Sequence, residues 1–228
     1  WAGELVYTAF SGSHQDAIRK SLSQQQAGEH WQVAYLPIDP RDLGRRYEEV
    51  VRINSQSGKG GVLYVLERDF GITLPRWLQI AFSKVVQHEA ERSGGEVEGA
   101  AIRRLFDTAY VTVPGGWRLG NYDVRREGDR VRVTAAVDGA TIAGEAHGAV
   151  EALIDAVRRA RGVQAVVESF DEYALGSGTE ASAMACVQVR VGDSVRIGVA
   201  LGEDTTSATL QAVLTAIGRQ AEAGAAAA

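Results

Sequence analysis

The sequence predicts an α+β fold, with small helical subdomains followed by a domain of two βββα units. Three observations carry this. Before Val113-Pro114-Gly115-Gly116, apolar residues recur at helical spacing; after it, alternating strand-like runs dominate. Within the strand-rich half, three strands and a helix occur twice. Each copy has one apolar sheet face and one apolar helix stripe, so two copies can close around one core. The expected boundaries are 1–66 and 67–113 for two linker subdomains and 114–228 for the duplicated domain.

Taken in order, Ser13 can cap a helix through Ala17, Ile18 and Leu22. Asp39-Pro40 is a helix-start signal, and that helix would carry Tyr47, Val50 and Val51. Asn54 to Gly61 reads as a glycine-rich loop, and Val62–Leu66 as a short strand or helix. Leu74-Pro75 opens a helix with Leu78, Phe82, Val85 and Val86 on one face, closed by Ser93-Gly94-Gly95. A second runs from Val97 to Ala109 with Ala101, Leu105 and Ala109 on one face. The first βββα unit comprises strands Trp117–Arg126, Asp129–Val137 and Thr141–Ala146, then a helix from Gly148 to Arg161. The second comprises Val163–Ala174, Ala181–Val191 and Ser194–Leu201, then Thr206–Ala223.

Composition removes several classes of function. A net charge of −5 argues against a nucleic-acid footprint, which needs a basic surface. No run approaches the ~20 apolar residues of a membrane-spanning helix. The single cysteine, Cys186, excludes an internal disulfide and a cysteine-based zinc site. These features suit a cytoplasmic protein. A (β/α)8 barrel takes about 250 residues, so this chain cannot hold one beside the duplicated domain. Its start at Trp1 without a basic-then-apolar leader reads as a piece of something longer, or as a processed chain.

Three places could carry chemistry. His14 lies in a Gly/Ser loop near a helix start, where an imidazole can exchange a proton; the bland alternative is a surface histidine beside a cap. Asn54–Gly61 is not a Walker loop, because Asn54 replaces the first glycine and Gly60 follows Lys59. Lys59 could still meet an anion; otherwise the segment is a connector. The helix starts at His147-Gly148 and Asp204–Ser207 present free amides that can hold a carboxylate. Ala174, Ala181 and Ala183 leave room nearby for a compact side chain such as that of a small amino acid, or simply allow tight packing. Cys186 and Met184 read as structural, and no His/Asp/Glu cluster makes a metal site.

The string GELVYTAFSGSHQDAI (Gly3–Ile18) resembles the segment after the catalytic barrel of the 2-isopropylmalate synthase family. YLPIDPRDLGRRYEEVVRINSQSGKGGVLYVLERDFGITLPRWLQIAFSKVVQ (Tyr35–Gln87) resembles that family's linker region. The βββα repeat is similar to its leucine-sensing, dimer-forming C-terminal domain. The resemblance spans the chain and weakens after Gln87. It implies a homodimeric enzyme that condenses acetyl-CoA with 2-oxoisovalerate, using a divalent metal (Mg, Mn or Zn) in a barrel this chain lacks. His14 would be the catalytic base and Tyr47 an assisting tyrosine. Leucine would be the effector, held by Val150, Val167, Phe170, Ala174, Ala181, Ala183 and Leu201. Two segments depart from the family pattern. Ala146-His147-Gly148-Ala149 replaces the usual Gly-Asn-Gly-Pro, and Glu203 and Asp204 make the second helix entry acidic. Two other readings fit parts of these features: a stand-alone amino-acid sensor without catalysis, or a related citramalate- or homocitrate-type condensing enzyme.

Overall fold

The computed structural model describes residues 8–9, 11–26, 28–45, 53, 59–112, 114, 116–175 and 182–219. The chain divides into two compact units, Trp1–Phe106 and Asp107–Ala228.

The first unit is helical. Helix α1 spans Gly12–Gln24. Its cap lies two residues before the expected Ser13. The Gln15 amide donates to the Ser11 carbonyl at 3.0 Å, so Ser11 is the N-cap and Ser13 lies in the first turn. Asp39 does cap its segment, accepting from the Arg41 amide at 2.9 Å. Only one 3-10 turn, Pro40–Leu43, follows, because Gly44 turns left-handed at φ 71°. Tyr47, Val50 and Val51, expected on a longer helix there, lie outside the described residues.

Helix α2, Lys59–Phe70, corrects the reading of a glycine-rich loop through Gly61. Gly60 and Gly61 belong to its first turn, and both are buried. A Cβ on Gly60 would stand 2.8 Å from Asp16 Cβ, and one on Gly61 1.9 Å from Gln15 Oε1. These glycines let α2 lie against α1, which outweighs their low helix propensity. The rest of the loop, 54–58, lies outside the described residues. Helix α2 also packs on α3 (Arg76–Ser93) and α4 (Gly99–Phe106).

Helix α3 buries Leu78, Phe82, Val86 and Ala90, and Gly94 closes it. On α4 the buried stripe is Ile102 and Phe106, not the expected Ala101 and Leu105. The larger side chains remove more apolar area from water, and Phe106 meets Phe82 edge-on at 5.3 Å. The next turn is π-helical, Asp107–Val111, and buries Tyr110 rather than Ala109.

The second unit holds two three-stranded antiparallel sheets, β1-β2-β3 and β4-β5-β6, among the described residues. The strands are β1 (Leu119–Glu127), β2 (Arg130–Val137), β3 (Ala140–Ala146), β4 (Ala165–Leu175), β5 (Ser182–Val191) and β6 (Ser194–Gly202). Helix α5 (Ala149–Arg161) follows β3 and α6 (Thr205–Gly218) follows β6, giving βββα twice. Val131, Val133, Ala135 and Val137 of β2 are buried while Arg130 and Arg132 face solvent, as the alternation predicts. Ala183, Ala185, Val187 and Val189 of β5 join the same core, with Leu153 and Val157 of α5 and Leu210 and Val213 of α6. Cys186, one residue out of that phase, is fully buried. Burial, and then the charge of Asp171, push its thiol up to about 12.

Helix and sheet approach closely at two points. A Cβ on Gly144 of β3 would stand 2.3 Å from both the Ala152 carbonyl oxygen and the Ala156 nitrogen of α5. One on Gly198 of β6 would stand 2.2 Å from the Ala212 carbonyl oxygen and 2.6 Å from the Ala216 nitrogen of α6. Glycine on the strand and alanines four apart on the helix let backbone meet backbone. The halves are also tied together by a side chain. The amide of Gln211 on α6 accepts from the Leu119 N–H at 2.8 Å and donates to the Trp117 carbonyl at 2.9 Å, at the start of β1.

Asp155 pins α5 to β3. Its Oδ2 accepts from the Glu145 amide at 3.1 Å, and it pairs with Arg158 and Arg159. Burial pushes its carboxyl up, but the hydrogen bonds from Arg158, the Glu145 amide and Arg159 together hold it down at about 2.

Two expectations follow. Gly144→Ala should destabilise the fold by about 1–3 kcal/mol, because the methyl meets helix backbone that cannot rotate away; urea unfolding measures it, and an unchanged midpoint would refute the close contact. A carboxyl depressed on folding stabilises above its ordinary value and loses that contribution as pH falls through its folded value. Asp155→Asn should therefore lower the melting temperature at neutral pH, with the gap to wild type closing between about pH 4 and pH 2.

Candidate functional site

In the first unit, His14 lies in the first turn of α1, and its side chain is exposed. The hydroxyls of Ser11 and Ser13 bond each other at 2.9 Å. The imidazole stacks on the ring of Tyr35, centroids 4.1 Å apart and planes 30° from parallel. Tyr47, the tyrosine implied to assist it, lies outside the described residues. Among the described residues, no group of three or more His, Cys, Asp or Glu could hold a metal ion. The described side chains thus offer no such donor set for the divalent metal that the resemblance implies.

The second unit has a cavity of about 650 Å³. Its walls are the first turns of α5 (Gly148, Ala149, Val150, Glu151 and Ile154), strand β4 (Ala165, Val166, Val167, Phe170 and Glu172) and α6 (Thr206, Thr209 and Leu210). The β4–β5 register shifts between Val167 and Ser169. The extra residue lets Val167, which packs on the core, share a face with Glu172, which meets α6.

Of the effector residues implied by the resemblance, Val150, Val167 and Phe170 line this cavity together. Ala174 is exposed further along β4, opposite Ala183, which is buried in the core. Leu201 pairs with Met184 and lines a separate cavity with Trp117 and Gln211. Ala181 lies outside the described residues. Sequence reasoning missed the polar pair in the wall: the Thr209 hydroxyl donates to the Glu172 carboxylate. Two signals pointed to it. Glu172 is two residues from Phe170 on one strand, and Thr209 is a polar residue in the apolar run Ala208-Thr209-Leu210.

The two halves differ at their helix starts. Tyr122 of β1 pairs with Ala135, and Phe170 of β4 pairs with Val187. The Tyr122 hydroxyl bonds Asp204, the N-cap of α6. Burial and then the Asp204 charge push that hydroxyl up. Asp204 also accepts from the Ser207 amide at 2.8 Å, and chiefly that amide holds its carboxyl below the ordinary range. The acidic helix entry is thus turned onto its own helix. At the Phe170 end, α5 starts at Gly148 with no side-chain cap, and the Glu151 carboxylate lies beside it in the cavity wall.

Comparison with known proteins agrees with both units. The family model for the LeuA allosteric (dimerisation) domain matches residues 96–221, and that for the alpha-isopropylmalate synthase, post-catalytic domain-like region matches residues 4–67. The 2-isopropylmalate synthase of Alcanivorax borkumensis is 55% identical over 227 residues, covering 97% of this chain and 41% of that protein. That of Pseudomonas syringae pv. tomato is 46% identical over 236 residues, covering 99% of this chain and again 41% of that protein. The chain thus spans about two fifths of the length of these curated relatives. Among the described residues, no helix is long and apolar enough to cross a membrane.

Proposed function

Because the chain belongs to the LeuA allosteric (dimerisation) domain family, we propose that it is the catalytic-cap and regulatory part of a homodimeric 2-isopropylmalate synthase. The observation that carries this is identity of 55% sustained over 97% of the chain, which includes both units. The reaction joins the methyl carbon of acetyl-CoA to the keto carbon of 2-oxoisovalerate. Water then cleaves the thioester, releasing CoA and 2-isopropylmalate, in the cytoplasm. His14, exposed at the start of α1, takes the methyl proton as general base. Tyr47 assists it. The divalent metal that the family resemblance implies would supply Lewis acidity to the addition when bound.

The cavity of the second unit is where we place the effector. Free leucine is apolar at one end and carries both charges at the other. Val150, Ile154, Val167 and Phe170 offer an apolar wall for the side chain. The carboxylates of Glu151 and Glu172 in the same wall suit the ammonium. Binding there touches both α5 and α6, and so can bias how the two βββα units, and through them two protomers, pack.

Leucine added to this chain should give saturable heat in calorimetry. Glu172→Gln should weaken binding roughly 10- to 100-fold through loss of a charged hydrogen bond. No heat at millimolar leucine would refute the effector assignment. With the barrel present, His14→Ala should lower kcat by about 10²–10⁴-fold. Turnover equal to wild type would remove His14 from the mechanism.

A further inference from the structure

Tyr35 is the least economical residue in the first unit, and the economy of its neighbours makes it conspicuous. Val33 and Leu36 are buried and bridge to each other across a tight turn. The Trp31 indole nitrogen donates to the Leu36 carbonyl and fastens the turn further. At its tip Tyr35 has φ 63°, one of two non-glycine residues in the left-handed region among those described. A bulky side chain there is strained, and glycine would relieve the strain. The ring gains little from burial, because it is 62% exposed. Neither backbone preference nor the hydrophobic effect explains a tyrosine at this position. What the conformation does achieve is to lay the phenol flat against His14, at 4.1 Å between centroids.

We propose that Tyr35 is the positioning residue for His14, holding the imidazole in one plane while leaving both ring nitrogens open at its edge. This rests on the reading of His14 as the proton-transfer group. An exposed histidine on the surface of a helix turns freely about its side-chain bonds. A proton transfer from carbon needs the accepting nitrogen in line, and loss of that alignment costs rate even when nothing else changes. A stack restrains the ring by its face and takes up neither nitrogen, which a hydrogen bond would. Strain kept at a turn tip for this purpose is the pattern expected where orientation matters more than stability.

The test uses two variants. Tyr35→Phe keeps the ring face; Tyr35→Gly removes it and also suits the left-handed backbone, so the turn should fold at least as well. In the NMR spectrum of this chain, the His14 ring protons should lie upfield in wild type and Tyr35→Phe. They should move to the position of a free histidine in Tyr35→Gly. In the enzyme with its barrel, Tyr35→Gly should lower kcat roughly 10- to 100-fold with KM for the 2-oxo acid little changed, whereas Tyr35→Phe should stay near wild type. The proposal is overturned if Tyr35→Gly keeps wild-type kcat, if Tyr35→Phe is as impaired as Tyr35→Gly, or if the His14 resonances ignore the substitution. His14→Ala separates the two readings. If it is inactive while Tyr35→Gly is not, only the role of Tyr35 falls; if it is active, the role of His14 falls and that of Tyr35 falls with it.

Discussion

The contact of strand backbone with helix backbone at Gly144 and Gly198 governs the second unit. Each glycine admits a helix so closely that a single methyl group would collide with main-chain atoms of alanines one turn apart. Dispersion attraction falls steeply with separation, so this approach is what lets the valines of β2 and β5 share one core with Leu153, Val157, Leu210 and Val213. It also fixes where the helices begin. With α5 seated at Gly144, its first turn stands beside β4 of the other half, and the cavity is the space left between them. A site built this way depends on both halves of the repeat at once.

Much of that arrangement was legible in the residues. The six strands and two helices follow from periods of 2 and 3.6; the turns Asp138-Gly139 and Gly192-Asp193 close their hairpins, and the first hairpin closes at Gly128-Asp129, one residue beyond the Glu127-Gly128 reading. Where reading failed, the deciding fact lay outside the local pattern. Gly60 and Gly61 look like a loop until Gln15 and Asp16 of α1 are set against them. The phase of α4 was off by one residue because two faces were apolar, and only Phe82 shows which is covered. Glu172 and Thr209 meet across 37 residues of sequence and past a bulge that no single-strand pattern announces. His14 could be picked by residue type and setting, but its stacking partner depends on a left-handed turn at an alanine-tyrosine pair, which propensity argues against.

The starts of the two helices in the second unit are unlike. At α6 a tyrosine hydroxyl meets an aspartate cap; at α5 the cap is a glycine, and the Glu151 carboxylate lies beside it. The cavity at the start of α5 has a second carboxylate in its wall, that of Glu172, held by Thr209. A ligand in that cavity would touch both α5 and α6, and its effect would fall on the packing of the two halves.

The Gln211 bridge bears on how the protein comes into being. The first residues of β1 receive part of their hydrogen bonding from a side chain 92 residues later in the chain. A ribosome delivers the first βββα unit well before it delivers α6, at about 5–20 residues per second. Through that interval the emerging half has a sheet whose apolar face and strand start lack their final partners. The first strand therefore gains these partners only once α6 is made, and that helix acts as its latch.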